Sequence, residues 1–507
     1  MISGGRPWTR LAAQIVMVIG VSVAVPAFSF ASSVATAPPS ERARPTATPP
    51  TDQQILSAFG RDDYVGALRL IAEALQHRPT DFVLHYNAAC AMALLERPDD
   101  AIRSLRQAVR HGFRDFDLMV EDPDLESLRS DRRFIEIAEG RRSARVSTAE
   151  QAERQQKLWR QRFGDERYTY EYDDELRVYF AMALDEESRE RMRAMLRRQG
   201  RQQIETLFGA APADPVFVAI PLPADARTYF RELGDRDAVL DSPNIAGVYE
   251  HRPRRLVSSD IGSPLRHEFT HALHYGHMER LRQPHPLWIQ EGLATLYEEY
   301  NLSDDGTIVF LPNQRHNVMR TIIRAQRVLG WRELAEMDGR EFMRQAQQLY
   351  PHVRSIFEFL ADRGLLEAWY KRYTDGFSDD PTGIAAIEDV FGAALDNIER
   401  EWRQWVMRRP AVVTAVRYGG PSLGVEIDDT NDGARILRVR AGGGAARAGL
   451  RRGDVIVSVD DQQVASSAEL VAQVARRRVG DTLRIRIRRE GEYIDGTVRL
   501  EALRPDG

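Results

Sequence analysis

The chain has 507 residues, 43% of them hydrophobic and 29% charged, with a formal net charge of -5. That length exceeds one ordinary core and suits about three domains. The composition excludes a disordered or membrane-embedded chain, and the weakly acidic balance excludes an overall basic nucleic-acid binder.

In chain order, residues 1–31 read as a secretory signal peptide: Arg6 and Arg10, an apolar run from Leu11 to Phe30, then small residues with cleavage after Ala31. The run approaches the ~20 residues that span a bilayer, so an uncleaved N-terminal anchor is the alternative. Either places the remainder outside the cytoplasm, periplasmic or secreted. Residues 32–52, rich in Pro and Thr, read as an extended linker.

Residues 53–147 are helical and repetitive. Ala67, Ile71, Ala74 and Pro79 recur at a shift of 34 as Ala101, Leu105, Ala108 and Phe113. Alanines let paired helices approach and the larger residue fills the groove between them. The pattern resembles tetratricopeptide helix pairs, with Phe113 departing from the terminal proline. A generic helical hairpin is the plain alternative. The single cysteine, Cys90, falls in this block; one thiol forms no internal disulfide, and it reads as a small buried hydrophobe.

After a polar spacer at 148–165, "RYTYEYDDELRVYFAMAL" alternates as strands do, "EESRERMRAMLRRQGRQQIETLFG" is an amphipathic helix ending at Gly209, and "DPVFVAIPLP" is a buried strand. "NIAGVYEHRPRRLVSSD" reads as two strands joined at His251–Arg254, and residues 314–409 are helical.

Between these lies "SPLRHEFTHALHYGHM", residues 263–278, with four of the chain's 11 histidines. Ser263 and Pro264 suit a helix start. Along a helix His267 and His271, four apart, share one face, with Glu268 beside them. Two imidazoles so placed bind a metal ion, and the glutamate takes a proton from water there. A third ligand should come from another element. Glu291, in "PLWIQEGLATLYEEY", is the candidate, brought back by a turn carrying Gly276 and Pro284.

The pair "HEFTH" and "EGLA" resembles the gluzincin metallopeptidases, most closely their peptidase-MA-like extracytoplasmic members, over roughly residues 165–409. The resemblance implies one Zn²⁺ per chain on His267, His271 and Glu291, Glu268 as general base, and an oxyanion donor from a later helix, Tyr350 first and His352 second. It also implies that "GVYEHRPRRLVSSD" supplies the edge strand that aligns an extended substrate. His274 reads as supporting or packing, His277 and His285 as surface residues, and Glu298 as a group orienting a ligand imidazole.

Residues 411–505 turn glycine-rich and β. "AARAGLRRGDVIVSVDDQQV" resembles a PDZ domain of the bacterial protease-associated kind. The resemblance implies that a peptide C-terminus adds as a strand along Gly424–Ile427, with its carboxylate near Ser422, Leu423, Gly424 and Val425. A PDZ domain that merely packs on its neighbour is the alternative.

The expectation is thus a multidomain α+β protein: tetratricopeptide-like hairpins, a zincin-like domain with a helical C-terminal part, and a PDZ domain. Its expected function is an exported zinc metallopeptidase, or alternatively an inactive peptidase-like scaffold acting through its two interaction modules. The expected partners are a protein or peptide substrate, a C-terminal peptide at the PDZ domain and a protein at the helical block, with no nucleic acid and a membrane only through a retained leader.

Overall fold

The computed structural model describes residues 17–21, 50, 52–111, 113, 116–138, 150–234, 245–251, 253–303, 306–413 and 415–504. Apart from residues 17–21, 50 and 52, the leader and linker readings fall outside them. Two compact units emerge, one within residues 24–150 and one joining 16–23 to 151–507.

The first unit is built from helices Asp52–Gly60, Tyr64–His77, Phe82–Leu94 and Pro98–Arg110. The last three start on a local signal: the Asp63 carboxylate accepts from Gly66 N, Asp81 accepts from Val83 N, and Pro98 opens the fourth helix. Ala67, Ile71 and Ala74 are buried, as are their counterparts Ala101, Leu105 and Ala108. At the position where the second repeat departs from proline, Phe113 stacks on Tyr86 at 4.5 Å. Cys90 is buried, with its Sγ 3.8 Å from Asp122 Oδ2. That carboxylate is occupied: it accepts from the Tyr86 hydroxyl at 2.8 Å and from Asp124 N at 2.9 Å.

The second unit opens with a six-stranded sheet in the order β1-β5-β6-β4-β3-β2. Its strands are β1 Met17–Val21, β2 Thr169–Asp173, β3 Val178–Met182, β4 Val216–Ile220, β5 Ile245–Glu250 and β6 Arg255–Ser258. β3, β4 and β6 run parallel, and the outer pairs are antiparallel. β4 is buried along its whole length, which explains why "VFVAI" lacks polar alternation. Val216, Val218 and Ile220 face the main core, while Phe217 and Ala219 face a second cluster with Trp159 and Tyr229. Helices Gln151–Phe163 and Pro223–Gly234 supply the latter residues; the second of these was not anticipated.

The main core lies between the sheet and a helical layer. That layer includes Ser263–Leu281 (the histidine helix), Leu287–Leu296 (the glutamate helix) and Ala346–Asp362 (the tyrosine helix). A short hairpin, β7 Tyr300–Leu302 and β8 Ile308–Phe310, follows the glutamate helix. The turn expected at Gly276 does not exist. The histidine helix runs through it to Leu281, and Gly276 serves packing instead: a Cβ there would come within 2.7 Å of Pro212 Cβ.

The C-terminal part is a β-domain with its own apolar core. Its strands are β9 Pro421–Ser422, β10 Val425–Asp429, β11 Ala434–Val439, β12 Val455–Val459, β13 Gln462–Gln463, β14 Thr482–Arg489, β15 Glu492–Arg499 and β16 Glu501–Ala502. The sheet runs β10-β11-β12-β14-β15, with β13 on β12 and β16 paired to β9. Helix Ser467–Ala475, the groove helix, is capped by the Ser466 hydroxyl, which accepts from Glu469 N. Among the described residues no helix is long and apolar enough to cross a membrane.

Candidate metal centre and peptide groove

The histidine helix carries His267, Glu268 and His271 in consecutive turns, all buried. The glutamate helix brings Glu291 against them because Gly292, its neighbour, lies flush on the tyrosine helix. A Cβ at Gly292 would sit 2.2 Å from Phe357, so only glycine permits this approach. The "EG" pair therefore couples a polar donor to the one residue that lets its helix close in.

Three donor atoms converge. His267 Nε2 lies 3.1 Å from His271 Nε2, and Glu291 Oε2 lies 3.4 Å from the first and 3.7 Å from the second. A cation bonded at about 2.0–2.2 Å in tetrahedral geometry separates its ligands by about 3.3–3.6 Å. The observed separations straddle that range. Glu268, Glu291 and Glu298 are all buried, and Arg315 answers Glu298 with bonds of 2.8 and 2.9 Å. Carboxylates and imidazoles converging in a buried place suit a dication, since buried charge is costly without an opposite charge. His271 Nε2 and His267 Nε2 aim at Glu291 Oε2, whose oxygens hold no hydrogen bond. These residues fit a divalent ion.

The support around the donors follows the same logic. Glu298 Oε1 lies 3.1 Å from His267 Nδ1, so this carboxylate takes the far ring nitrogen and leaves Nε2 turned inward. Asn313 Nδ2 and Arg315 hold Glu298 in turn. Glu298 was anticipated here; Asn313 and Arg315 were not, as no local pattern marks them. Burial disfavours an imidazolium at His267, but Glu291 and Glu298 outweigh it and raise its pKa; at His271 burial prevails and lowers it. Glu291 is held below the usual carboxylate range by both imidazoles, against its own burial.

Tyr350, on the tyrosine helix, joins the site. Its ring lies 6.2 Å from that of His267, under the Arg315 guanidinium at 5.2 Å. Burial, then the Glu291 and Glu268 charges, push its phenol well up, so it stays a donor. His352 does not join: it stacks on Trp402 at 5.0 Å, and burial lowers its pKa to about 3. His277 and His285 are not surface residues. With His274 they form a second buried cluster, His274 Nε2 lying 2.8 Å from His285 Nδ1, walled by Phe208, Tyr370 and Tyr373.

β5 passes beside Glu268. A Cβ on Gly247 would meet Glu268 Cγ at 2.9 Å. On the outer edge of β5 lies β1, antiparallel, with Gly20 opposite Gly247.

In the C-terminal domain β10 is the end strand of its sheet, and the groove helix packs beside it. Ser422 Oγ accepts from Gly424 N at 3.0 Å, Leu423 O accepts from Ala445 N, and Gly424 adopts φ 80°, open to glycine at little cost. Ser422, Leu423, Gly424 and Val425 thus form the turn leading into the end strand.

Residues 421–500 match the PDZ domain family model. The C-terminal domain is a PDZ domain. Among curated proteins, the chain is 39% identical over 70 residues to "Serine protease Do-like HtrA" of Lactobacillus helveticus, covering 14% of this chain and 17% of that one. It is 44% identical over 64 residues to "Serine protease PepD" of Mycobacterium tuberculosis, 12% of this chain and 14% of the relative. It is 40% identical over 73 residues to "Periplasmic serine endoprotease DegP" of Salmonella typhimurium, 14% of this chain and 15% of the relative. The chain therefore spans only 14–17% of the length of these relatives.

These names correct the sequence-based expectation. The relatives are serine proteases, a class that needs no zinc, so the assignment as a zinc metallopeptidase with a Zn²⁺ cofactor is withdrawn. What stands is a mixed helical and sheet chain of several domains with a PDZ domain near its C-terminus.

Proposed function

We propose that this chain is an extracytoplasmic hydrolase of the peptidase class. In this reading its PDZ domain receives peptide C-termini and its buried polar centre is a divalent-cation site. The observation that carries the proposal is the convergence of His267 Nε2, His271 Nε2 and Glu291 Oε2 beside buried Glu268. The PDZ match and the protease relatives, one named periplasmic, support the peptidase and extracytoplasmic parts.

His267, His271 and Glu291 would hold the ion, which when bound polarises a carbonyl and acidifies water. Glu268 takes the proton of an attacking water and delivers it to the leaving amine. Tyr350, kept protonated by burial and by neighbouring carboxylates, donates a hydrogen bond to the developing oxyanion. Glu298 keeps His267 in the tautomer that turns Nε2 inward. At the PDZ domain, β10 offers its open edge to an extended peptide, with the Ser422–Gly424 turn at the carboxylate. The helical hairpins of residues 53–147, similar to tetratricopeptide pairs, would offer a second protein-binding surface.

The test is elemental analysis of the full chain across the divalent metals, beside casein hydrolysis with and without chelator and with a serine-directed fluorophosphonate. About one ion per chain, lost in His267→Ala and Glu291→Ala, with chelator-sensitive hydrolysis, upholds the proposal. Fluorophosphonate-sensitive hydrolysis indifferent to chelator overturns the centre and assigns a serine-type activity like that of the relatives.

A further inference from the structure

The PDZ domain meets the rest of its unit at the start of the histidine helix. Gly262, the residue preceding that helix, lies so close that a Cβ would fall 2.8 Å from Ala465 Cβ and 2.8 Å from Glu469 Oε1. Ala465 is fully buried within the main core. Beside it, Ile261 N donates to Asn431 O at 3.1 Å, and Asn431 Nδ2 donates to Ala183 O at 2.7 Å. At the far end of the same interface, Arg488 bridges Asp185 and Asp432, and the Tyr493 hydroxyl donates to Asp185 at 2.7 Å.

One polar route leads inward from this contact. Glu469, on the groove helix, takes a hydrogen bond from Arg266 Nη2 at 2.9 Å, with both side chains largely buried. Its other oxygen accepts from Ala465 N at 2.8 Å, which holds the carboxylate in place. The same Arg266 guanidinium donates twice to Glu298 O, from Nε at 3.0 Å and Nη2 at 2.7 Å. The Glu298 carboxylate holds His267 Nδ1 at 3.1 Å. The contacts thus run from Glu469 to Arg266, to Glu298, to His267 without a gap.

We infer that Glu469 and Arg266 are positioning residues of the cation site, so that the docked PDZ domain is a structural part of the centre rather than a tethered recruitment module. This rests on the divalent-ion reading above. Arg266 is desolvated, and a buried guanidinium keeps a single orientation only when its donors are answered. Without Glu469 it loses its anionic partner. Its fork on the Glu298 carbonyl loosens, and the carboxylate that orients His267 loosens with it. Residues that orient a ligand imidazole from behind are typically worth 10–100-fold in metal affinity.

The test uses Co²⁺ as probe, added to the chelator-stripped full chain and read by its visible absorption and by competition with a chromophoric chelator. Glu469→Ala and the shape-preserving Glu469→Gln are compared with Arg488→Ala, which weakens the far end of the interface without touching the route. Circular dichroism confirms folding of each. The expected result is a 10–100-fold weaker Co²⁺ affinity in both Glu469 variants and a change under about twofold in Arg488→Ala. Wild-type affinity in folded Glu469→Gln overturns the inference while leaving the cation site intact. Equal losses in Arg488→Ala overturn it by showing general loosening. Failure of the wild-type chain to bind Co²⁺ removes the cation site itself, and the inference with it.

Discussion

One helix carries two histidine clusters with opposite chemistry. His267 and His271 face Glu291 and Glu298; His274 and His277, one and two turns on, face Phe208 and Tyr370, with His285 joining them from the following loop. Burial is nearly complete in both clusters. The carboxylates raise the pKa of His267, whereas burial, with only like charge nearby, drives those of His274 and His285 well below the usual value. Residue type and burial therefore do not set a histidine's chemistry; the neighbours that supply or withhold negative charge do.

The sharpest way to break the comparison is at the base. Glu268→Gln keeps the donor triangle and should lower hydrolysis by about 10²–10⁴-fold, with bound metal unchanged by elemental analysis. The reciprocal substitution, His274→Phe, should leave metal content and turnover alone while changing urea stability by about 1–3 kcal/mol. Loss of metal in that variant would merge the two clusters into one site.

Tyr350→Phe removes the proposed oxyanion donor and should reduce turnover by about 10²-fold without altering metal content. Unchanged turnover would leave Tyr350 as a core aromatic. Gly292→Ala probes the packing that delivers Glu291. Its Cβ would overlap Phe357, so the glutamate helix must shift. The expected cost is about 1–3 kcal/mol in urea unfolding, accompanied by weaker metal binding. The matching Gly276→Ala strains only Pro212 and should cost stability alone.

The smallest effect is in pH. Burial, then Arg280, lower His277 to about 4, and burial also holds His274 and His285 well below the ordinary histidine value. These rings are neutral in the folded chain at pH values where the unfolded chain protonates them. The unfolded state therefore binds more protons below about 6.5, and stability is lost as pH falls from there toward 4. Denaturant midpoints at pH 7 and 4.5 check this. A His277→Phe variant should show a shallower acid loss.

Much of the frame was legible in the chain. The alternation in "YTYEYD" and "VYFAM", the uninterrupted "VFVAI", and the turn at His251–Arg254 each appear where local periodicity put them. His267 and His271 share a face because four-residue spacing on a helix dictates it, with Glu268 beside them. Glu291 and Glu298 were also named from spacing. The errors came where a residue's role depends on distant chain. Gly276 looked like a break, because glycine ends helices in isolation, yet Pro212 needs its missing side chain. His277 and His285 looked like surface residues, because polarity predicts exposure until a wall of aromatics covers it. The zinc-metallopeptidase assignment was overturned for a different reason: a helix motif reports a donor set, and donor geometry does not name a kinship.

By itself, then, the sequence determined most of the elements and the pairing of His267 with His271, which follow from spacing within a few residues. The PDZ domain was legible through a resemblance carried by "AARAGLRRGDVIVSVDDQQV". The tertiary structure decided which histidines meet carboxylates and which meet rings, where Arg315 and Arg266 reach, and how closely Gly292 and Gly262 let their neighbours approach. Those outcomes depend on packing between segments tens to hundreds of residues apart, and no local pattern encodes such contacts.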